Sequence, residues 1–70
     1  MNAPEVTVDV RVENHGTLFL FDLLTDEAVA WVVENVGGET SWMGDRGLAV
    51  EHRYAREIAF GMTEAGLTVR

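Results

Sequence analysis

The stretch that most constrains the fold is Gly47 to Arg70, GLAVEHRYAREIAFGMTEAGLTVR. It reads as a short strand, a helix and a closing strand. Tyr54, Ala55, Ile58, Ala59, Met62 and Ala65 share one arc at about 100° per residue, with Gly61 among them, which predicts an amphipathic helix from about His52 to Ala65. Gly66 stands where a C′ glycine ends a helix, and Leu67 supplies the apolar C″ residue of a Schellman-type stop. The small residues of the apolar arc allow close approach to a sheet or to another helix. His52, Arg53, Arg56, Glu57, Thr63 and Glu64 fill the opposite arc, and Phe60 falls near its middle. Thr68 and Val69 can add a last edge strand.

Upstream, Val6, Val8, Val10 and Val12 alternate with Thr7, Asp9, Arg11 and Glu13. That period of two predicts a half-buried strand with the valines inward. Asn14-His15-Gly16 is turn chemistry, and Thr17 to Asp22 reads as the second strand of a hairpin. This strand has two apolar faces, Leu18 with Leu20 and Phe19 with Phe21. A two-residue loop places the phenylalanines beside the valines, whereas a three-residue loop with a bulge places the leucines there. Either way one apolar pair points away from the valine face, where it is covered by something or is a contact surface.

Thr25 is a good N-cap, with Asp26 and Glu27 favourably placed in a first helical turn. The helix is expected over Asp26 to Val36, stopping at Gly37-Gly38. Ala28, Val29, Val32, Val33 and Val36 fill its apolar arc, with Glu27, Ala30 and Glu34 opposite. Trp31 sits at the edge of that arc, placed to fold over the core margin, to meet the second helix, or to act as a binding anchor. Glu39 to Met43 and Gly47 to Val50 read as two short strands, joined by a hairpin loop through Gly44-Asp45-Arg46-Gly47. That loop lacks the lysine and spacing of a phosphate-binding loop, and Asp45 repels phosphate.

The resulting expectation is a tail over residues 1–4 and a single α+β domain over residues 5–70. It is a mostly antiparallel sheet of four to five short strands with two helices on one face, in the order ββαββα with a possible terminal strand. Seventy residues allow one core, and a chain of this size buries only about 60% of its unfolded surface. There is no cysteine to add a disulfide, and the two histidines are far apart. Self-association or a partner therefore gains weight.

Twelve acidic residues face five arginines and no lysine, for a net charge of −7. Such a charge argues against a phosphate-binding surface. It suits solubility, a basic partner, or mimicry of nucleic-acid charge. Arg11, Arg46, Arg53 and Arg56 are scattered among the acids, so direct nucleic-acid binding is not expected. The N-terminal residues do not form a secretory signal, and no apolar run suits a membrane span, so the expected location is the cytoplasm.

Asn14 to Thr17, Leu24 to Trp31, Trp42 to Gly44, Val50 to Tyr54 and Gly66 to Val69 together resemble small uncharacterised single-domain proteins of bacteria and their prophages. The resemblance spans most of the chain and implies a context of compact domains on mobile elements. It transfers no activity and no catalytic residue.

Catalysis needs groups in mutual reach with tuned pKa values. His15 is most simply a solvated turn residue. In Glu51-His52-Arg53, Glu51 or His52 more simply caps or supports a helix N-terminus. Asp45 is a further candidate, but no Ser-His-Asp order, metal-spaced cluster or nucleotide loop is present in the sequence. No enzymatic activity, metal or cofactor is expected. Protein binding remains, and Phe60, framed by Arg53, Arg56, Glu57 and Glu64, has the aromatic centre and charged rim of a hot spot. Single exposed apolar residues are, however, also normal. The expected function is a small acidic binder that docks on a basic protein surface through these residues, with Trp31 and the outward pair of the second strand. A concrete version is a phage-encoded inhibitor of a host nucleic-acid-binding complex, such as an anti-CRISPR protein. The alternative is a homo-oligomer with a structural or regulatory role.

Overall fold

The computed structural model describes residues 7–37 and 40–70. The expected tail over residues 1–4, the strand position of Val6, and the parts given to Gly38 and Glu39 lie outside the described residues. The elements are β1 (Val10–Asn14), β2 (Leu18–Leu23), α1 (Asp26–Asn35), β3 (Thr40–Met43), β4 (Gly47–Glu51) and α2 (His52–Glu64). The four strands form one antiparallel sheet in the order β1-β2-β4-β3. This is the α+β architecture that the periodicities predict.

The β1–β2 register pairs Val12 with Phe21 and Val10 with Leu23. Residues opposed in an antiparallel pair share a face. The phenylalanines therefore join the valines, and Leu18 and Leu20 point to the other side. The connection is the two-residue loop Gly16-Thr17, closed by the His15 amide donating to the Leu18 carbonyl at 2.8 Å. Gly16 has φ +87°, the positive value that the first central residue of a type II′ turn needs. The Asn14 side chain accepts from the Gly16 amide at 2.8 Å.

Across the central pair, Phe21 faces Leu48 and Phe19 faces Val50. One core cluster joins Val10, Phe21, Leu23, Leu48 and Val50 of the sheet to Ala28 and Val32 of α1 and to Ala55, Ile58 and Met62 of α2. Both helices thus cover the same face. Each large side chain there stabilises the fold by about 1.5–3 kcal/mol relative to exposure.

Several boundaries differ from expectation. β1 begins at Val10, because its partner β2 ends at Leu23 and Asp9 is engaged elsewhere. α1 ends at Asn35, and Val36 leaves in an extended conformation (φ −111°, ψ 133°) rather than through a left-handed glycine. Val36 packs against the core, which fixes that exit. Val33 is 69% exposed, although its arc was expected inward. The helix is rolled toward Trp31, whose ring lies against α2. A Cβ on Gly61 would stand 3.0 Å from the Trp31 ring, so the glycine is what admits it. A tryptophan buries far more apolar area than a valine, and that difference decides the roll. Ala65 is exposed at the end of α2.

The stop of α2 follows the predicted pattern. Gly66 has φ +92°, its amide donates to the Thr63 carbonyl, and the Leu67 amide donates to the Met62 carbonyl, both at 3.0 Å. The start differs. Glu51 occupies the cap position but its side chain makes no cap hydrogen bond. The His52 amide instead donates to the Thr17 carbonyl at 3.1 Å, tying the helix to the β1–β2 turn. In the β3–β4 loop only Gly44 uses positive φ (+71°). Gly47 is required for another reason, since a Cβ there would meet the Met43 carbonyl oxygen at 2.6 Å.

Asp9 joins three segments. Its carboxylate accepts from the Thr25 hydroxyl and from the Thr68 amide, each at 2.8 Å. Thr25 in turn accepts from the Ala28 amide at 3.2 Å, as the N-cap of α1. Thr68–Arg70 runs alongside β1, with a parallel bridge between Val10 and Val69. The Thr68 amide, then the Thr25 hydroxyl, hold the Asp9 pKa below the ordinary carboxylate value.

Two outcomes follow for stability. A depressed folded-state pKa contributes stability that is present above the unfolded value, about 4, and lost as pH falls through the folded value. Asp9→Asn should therefore melt below the native chain at pH 7, and the gap should close below about pH 4 in thermal melts. Gly61→Val should cost about 2 kcal/mol in urea unfolding and shift the tryptophan emission, because the Trp31 ring must move.

Candidate protein-docking surfaces

The side of the sheet opposite the helices is built by strand alternation alone. Arg11 and Glu13 of β1, Leu18, Leu20 and Asp22 of β2, Ala49 and Glu51 of β4, and Ser41 and Met43 of β3 all belong to it. No described residue covers it. Leu20 faces Ala49 directly, and Met43 lies diagonally beyond Ala49. These residues form an apolar stripe from β2 through β4 to the edge at β3. The stripe is indented by a hollow of about 220 Å³ lined by His15, Leu18, Phe19, Leu20, Met43 and Ala49. Leu18 is 42% exposed and Met43 59%.

Charge frames this stripe unevenly. Glu13 is opposite Leu20, and Glu51 is opposite Leu18. Arg11 is opposite Asp22, a favourable cross-strand pair, whereas the two glutamates have apolar residues as their cross-strand neighbours. Glu51 also meets Arg53 Nε at 3.3 Å and His15 Nε2 meets Glu13 at 3.1 Å, both at exposed positions where such contacts are worth little.

A second surface is the outer side of α2. Phe60 is 65% exposed there, opposite Ile58 and Met62 on the helix, and Arg53, Arg56, Glu57 and Glu64 are exposed around it. Around the corner, Phe19, His52, Arg53 and Arg56 line an open trough of about 500 Å³. The His52 ring leans on Phe19 with centroids 5.4 Å apart, and the Arg53 guanidinium stands 5.0 Å from the Tyr54 ring centre. Trp31 is not part of this surface. It is half-buried in the contact between the helices.

The expected residues are therefore divided. Phe60 and its four charged neighbours form one face, Trp31 is half-buried against Gly61 between the helices, and Leu18 with Leu20 lies on the far side of the sheet. Met43 and Ala49 were not singled out from the sequence, and His15 was read there only as a solvated turn residue. Their signal was present in the alternation of β3 and β4, but it points to a shared face only once the order β1-β2-β4-β3 is known. Asp45 and Arg46 sit in the β3–β4 turn, where Arg46 pairs with Asp26 at 2.6 Å and reaches the Leu23 carbonyl at 3.4 Å. Among the described residues no helix is long and apolar enough to cross a membrane.

Compared with protein-family models, with curated proteins and with solved structures, the chain matches none. Any functional reading therefore rests on these surfaces.

If both surfaces are free of structural duty, Met43→Ser and Phe60→Ser should each change urea-unfolding stability by no more than about 0.5 kcal/mol. Leu48→Ala, in the core, should cost about 2–5 kcal/mol, comparable to the whole stability of so small a domain.

Proposed function

We propose that this chain is a small acidic protein-binding domain with no catalytic role of its own, and that it docks through the open face of its sheet. The observation that carries the reading is the apolar stripe Leu18-Leu20-Ala49-Met43 flanked by Glu13 and Glu51. Grouped exposed apolar residues rimmed by charge mark interaction surfaces more strongly than a single exposed residue does. The hollow is smaller than the roughly 300 Å³ at which ordinary small-molecule pockets begin, and it suits one or two side chains of a partner. The acidic flanks and the net charge of −7 select a partner segment with an apolar stripe and Lys or Arg beside it. An inhibitor carried by a phage or prophage, laid over the basic nucleic-acid-binding surface of a host complex such as a CRISPR effector, is one concrete form.

A second reading places docking on the outer side of α2, and the exposure of Phe60 favours it. The two are separated by one experiment. The tagged chain is used to capture proteins from nuclease-treated lysate of its own host, beside Leu18→Asp, Met43→Asp and Phe60→Asp. The expected result is a basic protein recovered in stoichiometric amount by the native chain and by Phe60→Asp, and lost by both sheet variants. Loss with Phe60→Asp alone would move docking to α2. Capture unaffected by all three substitutions, or no specific capture, would end the proposal.

A further inference from the structure

The strand registers set the open-face side chains in rows across β1, β2, β4 and β3. One row is Arg11, Asp22, Gly47 and Met43, the next is Glu13, Leu20, Ala49 and Ser41, and beyond it Leu18 faces Glu51. Along the strands, the columns differ in height. β2 presents Leu18 and Leu20, and β3 presents Met43. Between them β4 presents only the bare backbone of Gly47 and the methyl of Ala49 before it reaches Glu51. Ala49 is therefore the floor of the hollow of about 220 Å³. Its walls, leucine on β2 and methionine on β3, stand two strand spacings apart, about 10 Å.

The backbone restricts what can fill this hollow. β2 lies between β1 and β4, and β4 lies between β2 and β3, so the amides and carbonyls of both are engaged within the sheet. A buried polar group without a partner is costly, and a segment laid here must therefore bond its own backbone. An extended peptide does not, and its amides and carbonyls would press against leucine and methionine. An α-helix bonds its backbone internally, and its diameter of about 10–12 Å matches the distance between the walls. The face of a foreign sheet also bonds its own backbone, but it is broad. It would meet Arg11 and Glu13 on β1 and bridge the hollow without filling it.

Resting on the docking role proposed above, we infer that the occupant of the open face is one amphipathic α-helix of a partner protein. It lies along β4, with an apolar ridge over Ala49 and Lys or Arg beside that ridge. One or two apolar side chains of the helix fill the hollow between Leu18, Leu20 and Met43. Charge fixes the end at which its cations lie. Asp22 is already matched by Arg11 across the strand pair. Glu51 and Glu13 hold Arg53 and His15 only through exposed contacts of 3.3 and 3.1 Å, which a cation of the partner can replace. The cations of the helix therefore belong over the end at Leu18 and Glu51, away from Arg11. β4 has five residues, about 14 Å of strand, so two to three turns of helix cover it.

The probe is a labelled peptide of about 14 residues, with leucines at i, i+3, i+4 and i+7 and arginines on both sides of them, titrated with the full chain by fluorescence anisotropy. Its twin has one central leucine replaced by proline, which breaks the helix. The twin should bind at least tenfold more weakly, and high salt should weaken the helical peptide. Ala49→Phe fills the hollow yet keeps the face apolar. It should weaken the helical peptide at least tenfold, as Leu18→Asp should, both with native circular dichroism, and Phe60→Asp should change nothing. Equal binding of the twin, indifference to Ala49→Phe, or no binding of the helical peptide up to about 1 mM would overturn the helix. Capture from host lysate separates this from the docking role itself. A partner retained by Ala49→Phe and lost by Leu18→Asp overturns the helix in favour of an extended segment or a sheet, and leaves the open face as the docking site. Recovery of the host's own copy of this chain alone overturns it in favour of a second copy. A partner retained by both variants ends docking on this face.

Discussion

The two-residue loop Gly16-Thr17 decides which side of β2 is inside the protein. A strand's side chains alternate, so one more residue in that loop would reverse β2 and turn its leucines inward. Phe19 and Phe21 would then face water, and the contacts of Phe21 with Val12 and Leu48 would be gone. β2 is central, so its orientation also sets β4, which pairs Leu48 and Val50 with the phenylalanines. α1 and α2 pack on the surface so defined. The turn's positive φ at Gly16 and the Thr17 carbonyl's bond to the start of α2 hold this choice from both ends.

Asp9 closes the other end of the molecule. Its carboxylate gathers β1, the N-cap of α1 and the C-terminal Thr68 with two hydrogen bonds of 2.8 Å. Bonds to an ionised acceptor are stronger than neutral ones, and their strength depends on the charge being present. A chain too small for a large core thus fixes its C-terminal residues by polar contacts at the sheet margin. The same contacts hold Thr68–Arg70 against β1 and remove that edge from the exposed surface. Among the described residues no comparable device protects β3.

Most of the fold was legible because local signals agreed with one another. The valine alternation, the Thr25 cap and the Gly66-Leu67 stop each carry a mechanism that acts within a few residues. What the chain did not reveal locally is what tertiary competition decides. Val33 and Trp31 lie on opposite flanks of the α1 arc, and only the presence of Gly61 on the facing helix turns the arc toward the tryptophan. The choice between the two faces of β2 hung on loop length, for which Asn14-His15-Gly16-Thr17 allows two solutions. The stripe on the open face is harder still. It is assembled from Leu18 and Leu20, Ala49, and Met43, on three strands of which β3 and β4 are hairpin neighbours but β2 and β4 meet only through a crossover. Phe60, by contrast, was visible at once, since a helical wheel needs no tertiary information.

Those two kinds of exposed apolar residue have different physical meanings. Phe60 stands alone on a charged helix, and one exposed side chain is a common feature of protein surfaces. The stripe is contiguous, three of its four members lie on central strands, and it ends at an edge with which no described strand pairs. Polar residues at Leu18, Leu20 and Met43 would fit the same backbone, because no core contact depends on these positions. Keeping them apolar leaves water against hydrophobic surface on a sheet with one border that no described strand covers, a combination that favours association. The −7 charge opposes indiscriminate association, because carboxylates lie on the open face, on the outer sides of both helices and, at Asp45, in the β3–β4 turn. Solubility and selective contact are then served by one distribution of charge. Carboxylates repel approach over most of the surface, and the apolar stripe with its edge is the direction from which a second chain can come closest.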